Sequence, residues 1–308
     1  MTSRDSYVQG ILSFAIKLID DQDRADLQQE LSALIQAHPT FRIEVSAFEN
    51  GLIVRGDDEL ELMEIREKIA PQYGANIGEL MISYRESIRR PADGEGKYIR
   101  QTGGAGNYGH CKLRVEPNEP GKGYEFINDL KSGVVPKEYI KPIDQGIQGA
   151  MELGILAGFP VVDVKAILFD GSYHEADSNE MAFKFAGSIA FKEAARKAAP
   201  VLLEPIMAVK VTAPEEFLGT IIGDINLRRG RIEGMEHMAG TQVIRAAIPL
   251  AEMLNSSRYG RPKYSMHFAG YQPAPPRHEQ FGDDAGTPVR KPSSPKPKTG
   301  SAAAGLDS

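Results

Sequence analysis

With 308 residues, 41% of them hydrophobic and 25% charged, the chain has the composition of a soluble globular protein of two or three compact units. No apolar run approaches the roughly 20 residues of a membrane-spanning helix, and the start "MTSRDSYVQG" carries no signal-peptide core, so the sequence predicts a native-looking, cytoplasmic short chain with no membrane partner. A formal net charge of −6 and one cysteine, Cys111, argue against a globally basic nucleic-acid binder, an internal disulfide and a thiolate metal cluster.

The chain opens with a strand, "ILSFAIKLI", and a helix with Leu27, Leu31, Leu34 and Ile35 on one face; the helix ends before Pro39. Strands "FRIEVSA" and "GLIVRG" flank an Asn50-Gly51 turn, a hairpin signal because both residues tolerate positive φ. A second helix carries Leu62, Ile65 and Ile69, and "GELMISYRESI" closes the unit as a strand. The order strand, helix, strand, strand, helix, strand is ferredoxin-like.

From residue 89 the elements change. Strands are predicted around "KYIRQT", "CKLRVEP" and "YEFINDL", then a helix from Pro136 with Ile140, Ile143, Ile147 and Met151 on one face. After strand "VVDVKAILFDG" comes a helix over about 178–197, with Met181, Phe185 and Ile189 turned inward and Asp177 with Glu180 as its capping box. From Pro205 the first order of elements returns: "IMAVKVTA", a helix opened by Pro214 and closed by arginines and Gly230, "RIEGME", "TQVIRAAI", a short helix "PLAEML" and "KYSMHF". The last segment is rich in Pro, Gly, Ser and Lys and reads as a disordered tail.

The expected organisation is therefore α+β: a ferredoxin-like domain at 7–88, a second domain type at 89–204, a ferredoxin-like βαββαβ domain at 205–272, and a tail at 273–308.

No catalytic centre emerges from the residues. The P-loop pattern G-x-x-x-x-G-K-[ST] is absent: ahead of Gly96-Lys97 the first glycine would fall at Pro91, and Tyr98 replaces the hydroxyl residue. Gly104, Gly106 and Gly109 satisfy a bare G-x-G-x-x-G, but a strand follows instead of the helix whose N-terminus would hold a pyrophosphate. The six histidines show no i, i+3 or i, i+4 pairing, so no metal and no cofactor is expected. Asp170, His174, Glu175 and Asp177 crowd one loop without a nucleophile signature, and Cys111 is set to be a buried apolar residue, with His110 on the opposite face of its strand. In "TGGAGNYGHC" the glycines suit a tight strand-to-strand loop, with Asn107 in a left-handed conformation.

The runs "RQTGGAGNYGHCKLRVEP", "GYEFINDLKSGVVPKEYIKPIDQGIQGAMELGILAGFPVVDVKAILFDGSYHEADSNEMAFKFAGSIAFKEAARKAAPVLLEPIM", "IGDINLRRGRIEGME" and "VIRAAIPLAEM" resemble the C-terminal half of bacterial elongation factor G, its third, fourth and fifth domains in order. The resemblance implies a ribosomal-protein-S5-like fold for the middle domain, between two ferredoxin-like domains. It implies a GTPase-less translation protein that is not itself an enzyme, with the ribosome as partner: rRNA and the tRNA and mRNA at the decoding centre. The tip loops that would face RNA are Gly103, Gly104, Ala105, Gly106, Asn107, Tyr108 and Gly109, and Ser172, Tyr173, His174, Glu175 and Asp177 in the segment ending at Ser178. In the last domain Arg228, Arg229 and Arg231 would meet rRNA phosphates. Ala105 stands where the family usually has arginine. Two other readings remain: the C-terminal part of a split translocase served by a separate GTPase chain, and a scaffold with no ribosomal role.

Overall fold

The computed structural model describes residues 10–17, 23–37, 42–45, 52–57, 59–73, 76–102, 105–238, 240–254 and 263–275. The expected Asn50-Gly51 turn, Gly103, Gly104 and nearly all of the tail lie outside them, as do the side chains of Leu34, Ile35 and Ala105.

The first sheet is built from β1 (Leu12–Lys17), β2 (Arg42–Val45), β3 (Leu52–Gly56), β4 (Asn76–Ile77) and β5 (Met81–Ile82), in the order β2-β3-β1-β4 with β5 also on β1. Its helices are α1 (Asp23–Ala37) and α2 (Glu59–Tyr73). The helical spacing is realised: Leu27 and Leu31 of α1 and Leu62, Ile65 and Ile69 of α2 are all buried.

The segment expected to close this unit as one strand is divided. After β4 and β5 the chain leaves the first sheet, and β6 (Arg85–Ile88) pairs antiparallel with a strand of the last sheet. All four β6 residues are buried, so Ile88 is not the outer end of a half-exposed strand; it packs in the core of the middle unit.

The middle sheet has the order β7-β8-β10-β9, from β7 (Ala92–Thr102), β8 (Ala105–Pro117), β9 (Glu125–Asn128) and β10 (Val164–Ser172). β9 and β10 run parallel, which requires a crossover, and α3 (Ile140–Glu152) supplies it. α4 (Glu180–Lys197) lies against β7, β8 and α3.

α4 is rotated from the orientation its large apolar residues predict. Met181, Phe185 and Ile189 are 58%, 44% and 41% exposed, while Ala182, Phe183, Ala186, Gly187, Ala190, Phe191, Ala194 and Ala195 are buried. The reason is clearance. A Cβ on Gly94, Gly96 or Gly109 of the sheet would collide with the α4 carbonyls of Ala190, Ala186 and Ala182, and one on Gly146 of α3 with that of Lys184. The helix backbone rides directly on the sheet and on α3, so only small residues fit along most of the seam.

The last sheet, β12-β13-β11-β14, repeats the order of the first: second, third, first and fourth strand of its unit. It comprises β11 (Pro200–Pro214), α5 (Leu218–Leu227), β12 (Arg231–Met238), β13 (Thr241–Pro249), α6 (Leu250–Leu254) and β14 (Lys263–Pro273). β14 continues five residues past the expected "KYSMHF" because β11 starts at Pro200 and pairs it as far as Leu203 opposite Pro273. One buried cluster joins this sheet to the first, from Phe14 and Ile16 through to Met207 and Ile244; full burial of each such side chain contributes roughly 1.5–3 kcal/mol.

A carboxylate fixes the join between the middle and last sheets. Glu86 of β6 is fully buried and accepts four backbone N–H groups, from Ile155 (2.5 Å), Leu156 (2.8 Å), Ala157 (2.8 Å) and Phe159 (3.1 Å). The loop after α3 is thereby wrapped around one charge, which resolves its otherwise unpaired donors.

Candidate nucleic-acid interface

The far end of the middle sheet brings together the two segments predicted as tip loops; 105–109 of the first is strand, while the second leaves β10 at Ser172 and forms a turn. Residues 105–109 belong to β8, with Ala105 opposite Thr102 of β7. Asn107 is extended rather than left-handed, because the strand pairs through this point with Arg100. Gly106 and Gly109 are not turn residues either. A Cβ on Gly106 would lie 2.5 Å from the Asp177 carboxylate carbon and 2.6 Å from Oδ1, and one on Gly109 would strike the start of α4. These glycines permit close approach.

The second segment interlocks with the first. Asp177 Oδ1 accepts the Gly106 N–H at 3.1 Å, and its carbonyl accepts the Tyr108 N–H at 2.8 Å. This commitment corrects the expected cap. α4 starts at Glu180, and its N-cap is Asn179, whose Oδ1 accepts from Ala182 N–H at 2.9 Å while Nδ2 donates to Asn107 Oδ1 at 2.7 Å. The loop is also closed on itself, since Ser178 N–H donates to the His174 carbonyl and His174 N–H to Ser178 Oγ. His174 Nδ1 lies 3.3 Å from Asp177 Oδ2, yet its side chain is 59% exposed. Tyr173 and Glu175 are exposed beside it.

Behind the tip, the open face of the sheet holds a relay that the sequence did not reveal. Glu95 Oε1 meets His110 Nε2 at 2.7 Å, His110 Nδ1 meets Ser172 Oγ at 2.7 Å, and Ser172 Oγ meets the Tyr108 hydroxyl at 2.7 Å. A carboxylate only accepts, so Nε2 donates to Glu95; with neutral His110, Nδ1 then accepts from Ser172 and Ser172 from Tyr108. The relay pins the Tyr108 ring 6.3 Å from the His174 ring. The signal was the period-two alternation of Tyr108 and His110, readable only once register placed Lys97 and Ser172 opposite His110. On the same face Arg114 holds the Asp93 carboxyl below its ordinary range, chiefly by hydrogen bonding, and Lys112 does the same to Asp170. Cys111 points the other way, fully buried, and burial pushes its thiol up to about 12.

In the last unit the three arginines separate. Arg228 is 13% exposed and donates to Asp224 and to the Glu252 carbonyl. Arg229 grips the buried Glu204 with both guanidinium arms at 2.9 Å and also reaches Glu252, so two expected phosphate contacts are engaged inside the protein. Arg229, not Gly230, takes the positive φ of 55° after α5; Gly230 is small because a Cβ would press on Ile225 and Ile248. Arg231 is 70% exposed, paired only with Glu233 among the described residues. No group of three or more metal-binding side chains is found among the described residues, and no helix there is long and apolar enough to cross a membrane.

An α+β protein with two sheets of one strand order around a glycine-seamed domain, ending in a locked tip, has the architecture of a translation elongation factor's C-terminal domains. The family comparisons agree: residues 81–199 match the model "Elongation factor G, domain IV" and residues 201–280 match "Elongation factor G C-terminus". The chain belongs to the elongation factor G family. A crystal structure from Thermus thermophilus is similar over 87% of this chain at 38% identity with a TM-score of 0.66. This chain spans 41% of that one's length. Membership makes this an elongation-factor-G-like chain that carries the family's domain IV and C-terminal regions.

Proposed function

We propose that the chain binds the ribosome with the tip of residues 89–204 directed toward the decoding centre, acting on translation by occupying or remodelling that region. The observation that carries this is the interlock of Gly106, Tyr108 and Asn107 with Asp177 and Asn179, which holds an exposed His174 on a rigid mount. Preorganised donors meet RNA without first having to be ordered. The domains are taken as 7–88, 89–204 and 205–272, with Arg231 as the residue of the last one turned to rRNA phosphate. The sequence holds no P-loop, so release is not driven by nucleotide bound to these residues.

A second reading has the same tip serving a separate GTPase chain in trans, and the order in which the domain IV and C-terminal models match this chain favours it. Sedimentation with ribosomes across a salt series tests the first reading. Co-migration at low salt that weakens with salt supports it; absence of co-migration at low salt refutes it. If binding appears only when a GTPase chain is added, the second reading holds instead.

A further inference from the structure

The outer face of α4 is an apolar feature of the middle unit that its own fold leaves uncovered. Met181, Phe185 and Ile189 form one row at i, i+4, i+8, all more than 40% exposed. Rows of this kind on a folded surface mark contact sites. Phe185 stacks on Tyr98 of β7, with ring centroids 4.8 Å apart and planes 27° apart, and remains 44% exposed, so an aromatic stack of two stands ready for a third ring.

Charge identifies what would complete it. Lys184, Lys192 and Arg196 lie along the same helix and make no salt bridge among the described residues, unlike Lys197, which is held by Glu193. The row starts two residues after Asn179, so it continues the tip without a break. An aromatic platform flanked by cations suits unpaired bases on a phosphate backbone, because every base has a stacking face and the backbone is anionic. The basic stretch "VRKPSSPKPK" of this chain's own C-terminal segment carries the wrong sign for that face.

We propose that the outer face of α4 is a second RNA contact, which binds single-stranded RNA by stacking an unpaired base on Phe185 and seating phosphates on Lys184, Lys192 and Arg196. The proposal rests on the ribosome-binding reading for the source of that RNA, but its chemistry is tested apart from the ribosome.

The test is fluorescence anisotropy of the whole protein with a labelled 12-nucleotide single-stranded RNA of mixed sequence. F185A should weaken binding roughly 5- to 160-fold, the loss of one base–aromatic stack, and F185W should restore it. K184Q/K192Q/R196Q should lower the slope of log affinity against log salt by about 2, three contacts at roughly 0.7 each. Unchanged melting temperatures establish that the variants are folded, as expected at positions on the outer face of the helix, none of them buried. RNA affinity unaffected by F185A, with ribosome sedimentation intact, overturns this inference and leaves the functional proposal standing. Loss of ribosome binding in F185A with unchanged RNA affinity also overturns it, and assigns the face to a ribosomal protein. Loss of RNA binding in F185A, in a protein that never sediments with ribosomes, sustains the RNA contact and refutes the ribosomal reading.

Discussion

If the tip is rigid because Gly106 leaves room for the Asp177 carboxylate, then G106A and D177A remove the same interaction. An added Cβ would sit 2.5–2.9 Å from the three carboxylate atoms, so Asp177 must swing away and release the Gly106 N–H it accepts at 3.1 Å. A charge-assisted bond of this kind, to a carboxylate 34% exposed, is worth about 1–2 kcal/mol. Local opening at the tip should therefore become roughly 5- to 30-fold more frequent. Native-state hydrogen exchange by NMR reads this at the Tyr108 amide, which is bonded to the Asp177 carbonyl. Each single variant should speed that exchange by the stated factor, and G106A/D177A by no more than either alone. Multiplied factors in the double variant, or a silent G106A, would mean that Gly106 does not serve clearance.

Three further outcomes follow from buried charge and burial. E86Q turns two of the four N–H groups around Glu86 toward an amide N–H₂, which should destabilise the protein by about 2–6 kcal/mol and lower its melting temperature by calorimetry. R229A leaves Glu204 buried without its partner and should cost about 3 kcal/mol, the low end for a broken buried pair because Arg229 is 34% exposed; R231A should change stability by less than about 0.5 kcal/mol and weaken ribosome binding instead. Cys111 should resist thiol reagents until the protein unfolds. Its folded pKa, raised by burial to about 12, lies above the ordinary value of 9.0, so the folded thiol holds its proton where the unfolded one ionises. That contribution to stability is present below pH 9 and is lost as pH rises from 9 toward 12, which urea titrations across that range detect.

The first ferredoxin-like unit was legible because its helices carry large residues at helical spacing, and the last because the same order of elements returns between recognisable helix ends. α2 buries the residues its periodicity selects, and in the middle unit α3 buries Ile143, Ile147 and Met151 and half-buries Ile140. α4 does not, because its seam is mostly alanine and glycine around Phe183 and Phe191, and the contribution of those small residues comes from how near they let two backbones come, a quantity that hydrophobicity does not encode. The same blindness affected the tip: glycine density marked Gly106 and Gly109 as special, but clearance and turning demand the same residue. Asp177 and Asn179 are equally good caps on paper, and only the neighbouring strand decides that Asp177 is occupied elsewhere. Arg229 read as a surface cation because Glu204, 25 residues away, is buried beside it only in the folded chain. The relay through Glu95, His110 and Ser172 likewise exists only in the register of three strands.

Whether His174 is carried to the decoding centre can be measured on the chain itself. Since Cys111 is fully buried, H174C supplies one reactive thiol for tethering an iron chelate that cleaves nearby RNA. Bound to ribosomes, the tethered protein should cut small-subunit rRNA at the decoding centre, with the cuts lost when D177A loosens the mount. Cuts confined to other parts of the ribosome, from protein that sediments with it, would mean that the tip is directed elsewhere.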